Sequence, residues 1–248
     1  MPEPLVVRHP STAALRAAAG ARLVTAVLDA CAARGEASVV LTGGSLGSAL
    51  LAAAREAPSS AAVDWRRVSW WWGDERFLEG GHPERNDTQN GEAFLDHVDV
   101  DPARVHPVPG PGSPHGGSPE EAAAEYAKAL AEAADGPAAS PLFDVVLLGV
   151  GPDGHVASLF PGHPVLGVSD VAAAAVHDSP KPPPDRVTLT FPTLNRARAV
   201  WYVVGGADKA TAVARGVGGD DVSRTPAGHV RGLEHTLWLV DADAARGL

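Results

Sequence analysis

Short apolar runs rich in β-branched residues alternate along this chain with longer stretches of helical periodicity, a pattern that predicts an α/β fold. Leu5 to Arg8 reads as a short first strand, and Ser11 as the N-cap of a long helix reaching about Arg34. Ser38 to Leu41 is a β-branched run that leads through Thr42, Gly43, Gly44 and Ser45 into a helical stretch from Leu46 to Arg55. Val68 to Trp72 gives a third strand, in which consecutive Trp70, Trp71 and Trp72 must face alternate sides of a sheet. Gly80 to Asn90 reads as a polar loop. Ser118 with Pro119 and Glu121 forms a capping box, opening an alanine-rich helix to about Ala134, and a polar turn from Asp135 to Pro141 comes next. Val145 to Leu148 is continuously apolar, as in a strand buried on both faces. Val171 to Val176 reads as a strand, as does the run opening at Arg186, whose Val187, Leu189 and Phe191 alternate with threonines as in a half-buried strand. Val200 to Val204 and Leu237 to Val240 are the last strands, the latter closing the sheet before a terminal helix from Ala242 to Arg246. The Pro- and Gly-rich stretch from Pro107 to Pro119 reads either as a linker or as a surface loop. Alternation on both sides of it favours one continuous, doubly wound, mostly parallel sheet with helices on both faces, and a single α/β domain over residues 1–248.

Candidate chemistry gathers where these strands end. The Val145–Leu148 run stops at Gly149 and Gly151, and Asp153 and His155 lie just beyond, at the strand end where open α/β sheets bind ligands. A turn made by Asp153 and Gly154, with His155 only capping a helix after it, is the structural alternative. Gly149 to Gly154 also spells G-x-G-x-x-G, but Pro152 removes a backbone donor and Asp153 adds negative charge, which argues against a dinucleotide. The strand, glycine turn, hydroxyl and helix order at Thr42 to Ser45 suits a phosphate against a helix N-terminus, or is a plain turn; the lysine of a nucleotide P-loop is missing. Asp74, Glu75 and Arg76 close the third strand, as a rim of chemistry or as a surface ion pair. Ser179 to Pro184 presents Lys181, and Lys209 comes after Gly205 and Gly206, repeating the strand, glycine, helix layout.

Taken together, GVGPDGHVASLFPG from Gly149, TGGS from Thr42, GDER from Gly73 with Asn86 beyond it, and RVTLTFPTLN from Arg186 resemble the signature segments of the 6-phosphogluconolactonases. The resemblance covers nearly the whole chain and implies a Rossmann-like fold of the sugar-phosphate isomerase/deaminase type. It also implies hydrolysis of 6-phosphogluconolactone in the pentose phosphate pathway, without a cofactor. On that reading His155 is the general base, with Asp153 or Asp74 orienting its imidazole. Arg76 stabilises charge on the lactone, while Gly43, Gly44, Ser45, Asn86, Arg186, Lys209 and, less firmly, Lys181 hold the substrate and its phosphate. The related glucosamine-6-phosphate deaminases share the GGS turn and the DGH segment but carry an acid a few positions after that histidine. Leu159 and Phe160 stand there in this chain, and DER stands in place of DEY, so both departures favour the lactonase. A non-catalytic sugar-phosphate sensor is a further alternative, against which the presence of both His155 and Asp153 speaks.

Bulk properties narrow the partners. A chain of 248 residues, 45% hydrophobic, can bury a substantial core. Its formal net charge of −10 argues against nucleic acid or an anionic membrane as partner, so an anionic substrate requires local cations. Only three of the 20 basic residues are lysines, Lys128, Lys181 and Lys209. The ten histidines and single Cys31 show no metal-ligand spacing, and no metal is expected. One cysteine excludes an intramolecular disulfide, and MPEPLVVRHP lacks a signal-peptide core, so a cytoplasmic protein is expected.

Overall fold

The structure is a computed structural model describing residues 2–136 and 138–248; Pro137, in the turn expected from Asp135 to Pro141, lies outside the described residues. β1 (Leu5–His9) leads into α1 (Thr12–Arg34), where the Ser11 hydroxyl accepts the Ala14 amide at 3.2 Å as an N-cap. β2 (Ala37–Leu41), α2 (Gly44–Glu56) and β3 (Val68–Trp72) follow. Beyond Gly73 come β4 (Asp74–Arg76), α3 (Asn86–Ala93) and α4 (Pro119–Glu132). The second half supplies β5 (Phe143–Leu148), β6 (Ala173–Val176), β7 (Arg186–Leu189), the short α5 (Phe191–Leu194), β8 (Ala197–Val204), α6 (Ala210–Gly218) and β9 (His235–Asp241).

Six strands form a parallel sheet in the order β1-β9-β8-β5-β2-β3. β5 is buried at all six positions, as its apolar run predicts. Its one charge, Asp144, is met by the Arg34 guanidinium and by the Ser38 amide at 2.8 Å, which offsets the cost of burying it. The tryptophans of β3 divide as the pleat requires. Trp71 packs with Tyr126 and Phe143 in one core layer, while Trp70 and Trp72 join side chains of α1 and α2 in the other.

Several elements differ from the sequence-based expectation. The sheet is not one continuous unit: β4, β7 and β6 form a separate antiparallel sheet in that order, because the chain turns out of the parallel layer at Gly73. β7 is buried at all four positions rather than half-buried, since it is the middle strand of this small sheet, and Phe191 opens α5 instead of extending the strand. The end of the loop expected from Gly80 to Asn90 is helical, because buried Glu75 accepts the amides of Asn86 and Asp87 and so supplies the N-terminal partners of α3. β9 lies inside the sheet with β1 outside it, and the expected terminal helix is a short 3₁₀ turn over Ala244–Gly247.

The outer edge of β3 is bridged at Trp70 by Val105, and its Trp72 end is closed by a side chain. The buried Tyr126 hydroxyl of α4 accepts the Trp72 amide at 2.7 Å and donates to the Trp72 carbonyl at 3.0 Å. Tyr126→Phe strands both groups inside the core and is expected to reduce unfolding free energy by about 1–3 kcal/mol. Urea denaturation reads this as a lower midpoint at unchanged slope; an unmoved midpoint contradicts it.

Candidate active site

Successive connections run outward from β2 to β3 on one side and from β5 to β8 and β9 on the other, so β2 and β5 flank a topological switch point. Such points open a crevice at the carboxyl edge. A cavity of about 310 Å³ lies there, reached by the turns after β2, β5 and β8, by β4, and by the β6–β7 connection.

The turn after β5 positions the imidazole. Gly154 donates to the Gly151 carbonyl at 2.9 Å, and Gly151 donates to the His155 carbonyl at 3.0 Å, folding His155 back over the turn. His155 Nδ1 lies 2.6 Å from Asp153 Oδ1. Burial pushes the Asp153 carboxyl up, but the hydrogen bond from His155 and the charges of His155 and Lys181 outweigh this and hold it well below the usual carboxylate range. An ionised Asp153 therefore accepts Nδ1–H and leaves Nε2 free as an acceptor. A Cβ on Gly151 would fall 2.0 Å from His155 Nδ1, which is the physical reason for glycine there, independent of any dinucleotide. No helix opens at His155, so it caps none.

β4 and α3 form the opposite wall. Asp74 and Glu75 are buried, so the triplet is not a surface ion pair. Asp74 Oδ2 accepts the Ser158 hydroxyl at 2.6 Å and stands 3.8 Å from Arg186 Nη1. Asn86 Nδ2 donates to the Asp74 carbonyl at 2.7 Å and reaches Asp74 Oδ1 at 3.3 Å. Asp74 is thus committed to Ser158, Asn86 and Arg186, and Asp153 is the carboxylate bonded to His155. Asn86 lies so close to the first glycine turn that a Cβ on Gly43 would meet its Oδ1 at 1.7 Å. Burial, reinforced by Asp87, pushes the Glu75 carboxyl up against the pull of Arg85 and the capping amides.

Four cations border the cavity of this acidic chain: Arg76, Lys181, Arg186 and Lys209. Lys181 Nζ is 3.5 Å from Asp153 Oδ1, beside the imidazole. Arg186, 5% exposed, donates to the carbonyls of Lys181, Pro182 and Pro183 at 3.1–3.2 Å and so fixes the loop carrying Lys181. Burial lowers its pKa, with Arg76 adding to the effect and Asp74 opposing it. Arg76 Nη1 donates to the Glu84 carbonyl at 2.6 Å, and Lys209 Nζ lies 3.0 Å from Asp208.

Of the residues singled out in the sequence, Gly43, Gly44, Asp74, Arg76, Asn86, His155, Lys181, Arg186 and Lys209 line the cavity. Asp153 supports it from behind His155. Ser45 is exposed and lines an adjoining groove that shares Gly43, Gly44 and Lys209 with the cavity. The structural roles of Ser158 and Glu75 carry no comparable signal. Ser158 lies within the DGHVASLFPG segment, and the capping role of Glu75 depends on α3, whose helical start the sequence pattern conceals. Among the described residues, no group of three or more His, Cys, Asp and Glu side chains is arranged to hold a metal ion, and no helix is long and apolar enough to cross a membrane.

By fold, this is a Rossmann-like α/β protein of the sugar-phosphate isomerase type, carrying an imidazole–carboxylate pair at the ligand-binding edge. The sequence profile described as glucosamine-6-phosphate isomerases/6-phosphogluconolactonase matches residues 10–238, and the chain belongs to that family. It is 51% identical over 247 residues to a 6-phosphogluconolactonase of Streptomyces coelicolor, covering 99% of this chain and 95% of that protein. It is 46% identical over 240 residues to a 6-phosphogluconolactonase of Mycobacterium tuberculosis, covering 96% of each. The solved 6-phosphogluconolactonase of Trypanosoma brucei superposes with a TM-score of 0.83 at 27% identity, covering 99% of both chains.

The turn geometry makes the tautomer of His155 measurable. At alkaline pH, ¹⁵N NMR is expected to find its neutral imidazole protonated at Nδ1, and Gly151→Ala to shift it toward Nε2–H by forcing the ring off Asp153. A variant that keeps the Nδ1–H signature contradicts the packing argument.

Proposed function

We propose that this chain hydrolyses 6-phospho-D-glucono-1,5-lactone to 6-phospho-D-gluconate, as one α/β unit over residues 1–248 acting in the cytoplasm in the oxidative pentose phosphate pathway. The observation that carries this reading is the pairing of His155 with an ionised Asp153 at the edge of a cavity bordered by four cations. A lactone with a distant phosphate needs both a base for water and an anchor for a dianion, and these residues supply the two.

The reaction requires only water. His155 Nε2 takes a proton from water as the water oxygen bonds to the lactone carbonyl carbon, and Asp153 stabilises the imidazolium that forms. Arg76, with Lys181 beside the base, stabilises the oxyanion. Collapse of the tetrahedral intermediate breaks the bond to the ring oxygen, which takes the proton back from imidazolium and leaves as the 5-hydroxyl. The open-chain acid so formed gives its proton to solvent and leaves as the carboxylate. No acyl-enzyme forms, and no cofactor enters.

The phosphate sits where cavity and groove meet, between Arg186, Lys209 and the amides of Gly43, Gly44 and Ser45 at the start of α2. Asn86 acts by holding the Gly43 turn, and Asp74 by orienting Asn86 and Arg186. Neither nucleic acid nor membrane takes part.

His155→Ala is expected to lower kcat by roughly 10²- to 10⁴-fold with little change in KM. Arg186→Ala and Lys209→Ala are expected chiefly to raise KM. The assay generates the lactone in situ and follows its loss near neutral pH against the buffer rate. No acceleration by the wild type defeats the assignment, and an unchanged kcat in His155→Ala defeats the choice of base.

A further inference from the structure

Phe160 links the imidazole side of the site to Arg186. Its ring is 1% exposed and does not line the cavity, so it is no platform for a sugar. It nevertheless touches both chemical groups that the proposed reaction relies on. The ring centroid lies 4.6 Å from that of the His155 imidazole, with the planes inclined by 38°. The Arg186 guanidinium carbon stands over the same ring, 5.6 Å from its centroid.

An aromatic face carries partial negative charge and attracts a cation without itself titrating or competing for hydrogen bonds. Both neighbours have reason to use that property. Arg186 is nearly buried, and its main-chain bonds run to the 181–183 loop, so one face of its charge rests on the ring instead of on water. In the proposed reaction His155 carries positive charge while it holds the proton taken from water. A carboxylate in place of the ring would form ion pairs with Arg186 and with the imidazolium, drawing one from the phosphate and trapping the other in its protonated form. An aliphatic side chain would fill the space but add nothing to the carboxylates these cations already face, Asp74 and Asp153.

We propose that Phe160 is a positioning residue that seats the His155 imidazole against Asp153 and the Arg186 guanidinium toward the phosphate region, through the electrostatics of its ring face. This rests on the lactonase reading for its effect on turnover. The contact with Arg186 is independent of turnover and can be read from binding alone.

The test replaces Phe160 by a series of phenylalanines bearing one, two and three ring fluorines, which weaken the negative face with little change in shape. Phe160→Leu marks the limit without a ring, and thermal unfolding separates misfolding from loss of function. Across the fluorine series kcat/KM is expected to fall in steps, by about three- to thirtyfold in total, with contributions from both kcat and KM. Affinity for 6-phosphogluconate by calorimetry is expected to fall in parallel, because Arg186 loses its support. Constant kcat/KM and constant affinity across the series would overturn the proposal and leave Phe160 a filler of space. A wild type that binds 6-phosphogluconate but does not hydrolyse the lactone would overturn the lactonase reading, while the affinity series would still decide the contact between ring and guanidinium.

Discussion

A carboxylate taken out of water must be met by donors, and in this protein Asp74 imposes that requirement on three other segments at once. It stands on β4, accepts the Ser158 hydroxyl from the segment after β5, receives the Asn86 amide group from the start of α3, and faces Arg186 on β7. Each of these residues is itself buried, so none can turn to solvent if Asp74 fails to hold it. Asp74 thereby ties the walls of the cavity to one another. Glu75, the next residue, does the same for the first turn of α3, and the small antiparallel sheet exists largely to carry these groups to the edge of the large one.

That arrangement explains how an acidic chain can serve an anionic ligand. The net charge of −10 belongs to the whole surface, whereas the cavity concentrates cations. Their partners are graded. Arg186 is bonded to three loop carbonyls, Arg76 to one, and Lys209 to an adjacent aspartate, while Lys181 stands beside the imidazole that lines the cavity. The imidazole and the cations thus come from different strand ends, with Lys181 reaching Asp153 at 3.5 Å and the imidazole at 3.4 Å, and with the Phe160 ring in contact with His155 and Arg186.

Much of this was legible in the sequence, for reasons that differ by element. The helix caps at Ser11 and Ser118, the buried β5 run and the alternating tryptophans of β3 follow from local rules, and each appears where those rules put it. The separation of β4, β6 and β7 into a second sheet was not legible, because strand pairing is a long-range choice that a period of two does not record. At the site, the segments carrying His155, Arg186 and Lys209 stood out by their chemistry. The roles of Ser158 and Phe160 did not, because a buried serine and a buried phenylalanine read as core until their neighbours are known. The glycine pattern from Gly149 to Gly154 misleads for the same reason: Gly151 answers to the imidazole packed against it, a contact that spacing alone does not reveal.

On the proposed reading, one half of the cavity performs the chemistry and the other recognises the phosphate. The direct test compares kcat/KM for the phosphorylated and unphosphorylated gluconolactones in the wild type and in Lys209→Ala, which leaves the Arg186 bonds to the 181–183 loop in place. Strong preference for the phosphorylated lactone is expected in the wild type, collapsing in Lys209→Ala because its rate on the phosphorylated lactone falls while that on the unphosphorylated lactone hardly changes. Equal losses on both substrates, with the preference intact, would assign Lys209 to the reacting ester instead of to the phosphate and defeat that division of the cavity.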